Sequence, residues 1–350
     1  MQGRASTLAK QVKLTNLLYD SHRDLQRFGF QQPNHTFGVP NDQVYSTLEK
    51  IALEAEHYGF DSFYVMDHLM QIPGINPPED PILEGWMAIA ALAATTQRIK
   101  LSTMVTCNTF RNPALLAKMG ATVDNISNGR LIMAIGAGWY ELEHQAYGFP
   151  IGTMKERFQR LRETLQILKK MWTEDKASFE GKYYRIRNAA CNPKPLQKPH
   201  PMIMVGGDGE KVTLKIVAQY ADACNVFGGA DLDRVSRKLS SLKQHCQDVG
   251  RDYNSIFKTG LARVIIGRDD TDVKARIKKY VPQQPTAGAT GVTTLEDRLK
   301  RFIIGTPEQC TETIRKIFDL GLDYLIVNFP DSHNLETIKL FGEGVLPQFH

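Results

Sequence analysis

Eight short β-rich apolar runs alternate with longer helical patterns along almost the whole chain, and this alternation constrains the fold more than any other feature. The runs are Arg27–Gln32, Ser62–Met66, Lys100–Val105, Leu131–Gly136, Met202–Gly206, Ala223–Phe227, Gly260–Ile266 and Tyr324–Phe329. Several are nearly continuous in apolar residues, as parallel strands are when helices cover one face and packed side chains the other. The intervening segments carry helix-end signals. Asn41 or Asp42 can cap a helix that runs to Tyr58 and stops at Gly59. Gly59-Phe60-Asp61 before one strand recurs as Gly321-Leu322-Asp323 before the last, with glycine where the chain must turn left-handed. Thr306-Pro307-Glu308 opens a further helix with a capping side chain and proline in the first turn.

At 350 residues with no break in composition, these alternations predict one α/β domain, a single (β/α)8 barrel over residues 27–350. An open doubly wound sheet is the rival. Residues 1–26 are then an N-terminal extension that matches no recognised pattern. Two segments depart from the repeat and are expected as insertions over the carboxyl-terminal face. Ser178–Arg187 alternates polar and apolar residues around Glu180-Gly181, the signature of a small hairpin. Tyr280–Arg298 is rich in Pro, Gly, Gln and Thr, the composition of a lid or a disordered loop over the mouth.

Composition narrows the function. Lys and Arg exceed Asp and Glu by 43 to 38, a mild and dispersed excess that argues against nucleic acid and would merely favour an anionic small molecule. The five cysteines are widely spaced with no Cys-x-x-Cys pair, as expected of reduced thiols. No signal peptide and no apolar run of membrane-spanning length is found, so a cytoplasmic location with no membrane partner is expected.

In a (β/α)8 barrel, function sits at the carboxyl ends of the strands. Asp67 and His68 follow the second run. Met104, Val105 and Thr106 end the third, with Asn108 and Arg111 just beyond. Gly136-Ala137-Gly138-Trp139-Tyr140-Glu141 ends the fourth, and Gly206-Gly207-Asp208-Gly209 the fifth. The last is either an anion-binding turn, whose glycines let a phosphate reach backbone N–H groups at a helix start, or a plain βα turn. Gly136-x-Gly138 lacks the third glycine of a dinucleotide fingerprint. Its glycines leave room for a flat ring walled by Trp139 and Tyr140, unless those aromatics simply pack the next helix. His68 can exchange a proton near neutral pH, and Asp67 beside it could orient a ring nitrogen or bind cofactor hydroxyls. No metal site is expected. There is no His-x-His or His-Glu-x-x-His, and Glu141, Glu143 and His144 lack a matching set elsewhere. Schiff-base and Ser/His/Asp chemistry find no support either: Lys100 and Lys258 fall at strand beginnings, and no Gly-x-Ser-x-Gly elbow occurs.

Thr103-Met104-Val105-Thr106 through Arg111-Asn112-Pro113-Ala114-Leu115-Leu116-Ala117-Lys118 resembles the third strand and helix of the bacterial luciferase-like family. So do Ser127-Asn128-Gly129-Arg130-Leu131 leading to Gly136-Ala137-Gly138-Trp139, the stretch from Pro193 to Pro199 leading to Gly206-Gly207, and Tyr220-Ala221-Asp222. The resemblance implies a barrel that holds the deazaflavin coenzyme F420 or, alternatively, FMN. Val65-Met66-Asp67-His68-Leu69 and Gly206-Gly207-Asp208-Gly209-Glu210-Lys211 are more similar to the F420-dependent branch. It implies hydride transfer between F420 and a small organic substrate, with His68 as the catalytic proton donor; the alternative is an FMN-dependent monooxygenase. It further implies cofactor contacts from Asp67, Met104, Val105, Thr106, Gly136, Gly138, Trp139, Tyr140, Gly206 and Gly207, a non-prolyl cis peptide at Met104-Val105, and a homodimer.

Overall fold

The computed structural model describes residues 27–207, 209–281 and 294–349. Eight parallel strands form a ring: β1 (Arg27–Gln32), β2 (Ser62–Val65), β3 (Lys100–Thr103), β4 (Met133–Gly136), β5 (Ile203–Gly206), β6 (Ala223–Phe227), β7 (Phe257–Ile266) and β8 (Tyr324–Asn328). Each pairs in parallel with its neighbour except β3 and β4, which are joined by a single bridge between Leu101 and Leu131 and by the fragment Thr106–Cys107, and β8 returns to β1 with Tyr324 opposite Arg27. The molecule is the expected (β/α)8 barrel, not an open sheet.

The core has two layers because strand side chains alternate in direction. Inward-facing Tyr64, Ile132, Ala134, Met204, Ala223, Tyr324 and Ile326 fill the barrel. Outward-facing residues such as Phe30, Phe63, Leu101, Ile135 and Val205 pack beneath the helices. At the base of the interior the Ser62 and Tyr324 hydroxyls share a hydrogen bond of 2.6 Å. Gly29 leaves room for that pair, since a Cβ there would stand 2.7 Å from Ser62 Oγ.

Helix ends follow the sequence signals in part. Gly59 and Gly321 adopt φ of 92° and 98°, the left-handed turn that returns each helix to a strand. Thr306 caps helix Pro307–Asp319 with a complete capping box. Asn41 and Asp42, by contrast, do not cap the first helix. They lie in a short 3-10 turn, Asn41–Gln43, ahead of helix Val44–His57, whose N-cap Gln43 makes no side-chain bond.

The barrel departs from the predicted strands at two places. The third run ends as a strand at Thr103, breaks at a cis Met104–Val105 bond and resumes as the two-residue strand Thr106–Cys107, which pairs with β4. An unforeseen short strand, Phe302–Gly305, pairs with the outer half of β7 from Arg263 to Ile266.

The hairpin forms between Ala177–Glu180 and Arg185–Ala189, but it is not over the carboxyl-terminal face. It follows helix Met154–Thr173, which has already returned the chain to the amino ends of the strands. It is tied to that helix by Glu163, whose carboxylate accepts the N–H groups of Lys182 at 2.8 Å and Tyr184 at 2.9 Å. The chain beyond it is held by Asp124, which accepts from Leu196 N at 2.6 Å, just before β5 begins. The insertion leaves the helix at its far end and folds back along its outer side, with the Tyr183 hydroxyl donating to Gln159 at 2.8 Å. Most of the other insertion, residues 282–293, lies outside the described residues, as does the extension 1–26. No described helix is long and apolar enough to cross a membrane.

Candidate active site

Strand-to-helix connections converge at the carboxyl end of the ring around a cavity of about 410 Å3. His68 and every residue that the family resemblance implies as a cofactor contact, from Asp67 through Trp139 and Tyr140 to Gly206 and Gly207, line it, whereas Asn108, Arg111, Ala137, Glu141 and Gly209 do not. Asp208 lies outside the described residues.

The floor is built on the break in the third strand. The Thr103 and Thr106 hydroxyls meet at 2.6 Å across it, and Val105 projects between β4 and β5. Its side chain occupies the space that Gly136 and Gly206 leave: an added Cβ would lie 2.8 Å from Val105 Cγ2 at Gly136 and 2.5 Å from Cγ1 at Gly206. The missing side chains at these two positions thus seat Val105, and the backbones of both glycines still border the cavity. Gly138 is needed for its own conformation, with φ 83° and a Cβ position 2.8 Å from Thr109 Oγ1. Replacing Gly206 by alanine should therefore cost about 1–3 kcal/mol through overpacking, and Val105→Ala should recover much of it in the double variant. Urea unfolding of the four proteins checks this; additive losses would show that the two residues do not share one space.

Asp67 follows β2, is 2% exposed, and is committed to protein partners. Arg111 forks onto it with Nη1 at 2.6 Å from Oδ2 and Nη2 at 2.8 Å from Oδ1, while Cys107 N donates to Oδ2 at 2.8 Å. Arg111 also reaches Glu84. Burial pushes the Asp67 carboxyl above its ordinary range, and the guanidinium pulls it back. The arrangement clamps the end of β2 to the strand fragment beyond the break.

His68 comes next in the chain. Its Nδ1 lies 2.9 Å from Glu143 Oε2, and its ring meets Trp139 and Tyr140 edge-to-face at centroid distances of 5.9 and 6.2 Å. Tyr140 is buried, whereas Trp139 is 59% exposed at the rim. Gly207, at φ 119°, leaves the backbone open beyond β5: the nearest atom to a built Cβ is 3.4 Å away.

The sequence pattern of the luciferase-like monooxygenases matches residues 27–324. The chain belongs to the luciferase-like monooxygenase family. Among its relatives, an F420-dependent glucose-6-phosphate dehydrogenase of Amycolatopsis mediterranei (strain U-32) is 28% identical, over 92% of this chain and 98% of that protein. An FMNH(2)-dependent dimethylsulfone monooxygenase of Pseudomonas putida is 30% identical, over 92% of this chain and 94% of that one. The coenzyme F420-dependent tetrahydromethanopterin reductase of Methanopyrus kandleri has the same fold, with a TM-score of 0.75 at 19% identity, covering 93% of this chain and 100% of that one.

In this luciferase-like barrel the cavity also contains residues that sequence patterns did not single out. Gln31 and Asn225 line it from β1 and β6. Each is a polar residue inside an apolar strand run, a signal that could have marked it. Thr259 Oγ1 donates to Cys224 O at 2.9 Å and so must accept from Asn225 Nδ2, also at 2.9 Å, which leaves Asn225 Oδ1 as an acceptor for the cavity. In the sequence Glu143 stands out only as a metal-ligand candidate, and Arg111 only as a neighbour of the third run. Their roles depend on partners 75 and 44 residues away in sequence. Among the described residues no group of His, Cys, Asp or Glu side chains is placed to hold a metal ion.

Proposed function

We propose that this protein is an oxidoreductase that transfers a hydride between coenzyme F420 and a small organic substrate. The observation that carries the proposal is a histidine edge facing an apolar, strand-built cavity in a chain that spans nearly the full length of relatives named as F420-dependent. The residues present fit a flat ring system. The Met104–Val105 projection offers an apolar floor, Trp139 and Tyr140 a wall, and the open backbone at Gly207 a place where a phosphate-bearing tail can take N–H bonds. When bound, F420 supplies a ring carbon that donates or accepts the hydride.

This chain's residues supply position and proton handling. Val105, seated on Gly136 and Gly206, sets the height of the floor. Gly206 and Gly207 bind the tail, and Gly138, Trp139, Tyr140, Met104 and Thr106 border the ring. Asp67 contributes by keeping the third-strand fragment in register through Arg111 and Cys107. His68 Nε2, which has no hydrogen-bond partner among the described residues, accepts or returns the proton that accompanies hydride transfer.

An FMN-dependent monooxygenase is the second reading, favoured by the 30% identity to the Pseudomonas putida enzyme. Titrating the purified protein with F420 and with FMN separates the two through fluorescence quenching. Saturable quenching by F420 with none by FMN is expected; the reverse result overturns the proposal. We also infer one functional barrel over residues 27–350, and a homodimer in the cytoplasm. The five free cysteines support a reducing compartment.

A further inference from the structure

Glu143 stands in the first turn of helix Glu141–Ala146, only 1% exposed, with its carboxylate turned to the loop that carries His68. The two carboxylate oxygens do different things. Oε1 takes the backbone N–H groups of Leu69 at 2.5 Å and Met70 at 3.3 Å. Oε2 takes His68 Nδ1 at 2.9 Å. A backbone N–H can only donate, so Oε1 is an acceptor, and an ionised carboxylate leaves Oε2 an acceptor as well. The hydrogen in the His68–Glu143 contact therefore resides on Nδ1. A neutral imidazole carries one N–H, so the lone pair is on Nε2, the nitrogen left for the cavity. Tyr147 secures the same loop through a 2.8 Å bond from its hydroxyl to Leu69 O, so the His68 backbone does not depend on Glu143 alone.

We propose that Glu143 is the positioning residue that holds His68 in its Nδ1–H tautomer, keeping Nε2 as a proton acceptor toward the cavity. This rests on the assignment of His68 as the proton-handling group. The chemistry of the substitution Glu143→Gln makes the proposal testable. An amide has one acceptor atom where a carboxylate has two. That oxygen is claimed by the two backbone N–H groups, which have no alternative acceptor in the contact. The amide NH2 is then turned to His68, whose Nδ1 must become the acceptor. The tautomer reverses, and Nε2 now carries hydrogen toward the cavity.

The test is nitrogen-15 NMR of the ring nitrogens in labelled full-length protein, with the His68 signals identified by their loss in His68→Ala. In the wild type, Nδ1 is expected to show the protonated-type shift and Nε2 the unprotonated type, and in E143Q the two exchange. Turnover with F420 should fall by about 100-fold in E143Q, while F420 binding measured by quenching is unchanged, because a wrong tautomer removes proton transfer without removing the ring's platform. An Nε2–H tautomer in the wild type overturns the proposal by itself, whatever the variant does. So does an E143Q protein whose tautomer and turnover both match the wild type, the outcome expected of a carboxylate that merely anchors the loop. A tautomer that reverses in a protein that binds no F420 would leave the Glu143 assignment standing and sink the proposed function instead.

Discussion

Replacing His68 with alanine should lower turnover by about 10²- to 10⁴-fold, the range by which a positioned acid or base accelerates a proton transfer. Cofactor affinity should change little, because the floor and tail contacts proposed for Val105, Gly206 and Gly207 do not pass through the imidazole. The comparison requires both steady-state turnover and F420 titration of the same preparation. A variant that binds F420 normally and retains wild-type turnover would remove His68 from the mechanism. A variant that loses binding and turnover together would make it a cofactor contact.

Arg111→Leu should be the most destabilising single change near the site, costing about 3–5 kcal/mol. The substitution strips the fork from Asp67 and leaves a 2% exposed carboxylate with the Cys107 N–H as its remaining partner among the described residues. Because burial already pushes that carboxyl upward, removing the guanidinium lets it rise further. A carboxyl with a raised folded-state pKa takes up protons on folding, so the variant should recover part of its lost stability as pH falls. Urea midpoints at neutral and mildly acidic pH measure both effects. A loss below about 1 kcal/mol, typical of an exposed ion pair, would show that Asp67 is better solvated than its burial indicates.

The barrel was legible because its signals are local. Apolar runs such as Ile203–Gly206 and Tyr324–Asn328, and the helix-stopping Gly59 and Gly321, are written within a few residues of where they act. The lining of the candidate site was legible at strand ends for the same reason, once a barrel was assumed. What stayed hidden is relational. That Gly136 and Gly206 are empty for the sake of Val105, and not only for a ligand, requires three strands to be side by side. That Asp67 is bound by Arg111, and His68 by Glu143, requires loops from different repeats to meet over the mouth. The strand Phe302–Gly305 was missed because it lengthens β7 beyond the ring, where no barrel rule asks for pairing.

The hairpin at Ala177–Ala189 has a practical use that follows from its place on the flank of the barrel, against helix Met154–Thr173. Its second strand exposes Arg187, and none of its residues borders the cavity. A surface tether or a fluorescent label attached there would leave the cavity lining untouched, so immobilised protein would keep free exchange of cofactor and substrate. The label would also report tumbling and assembly without quenching by whatever is bound above the strands.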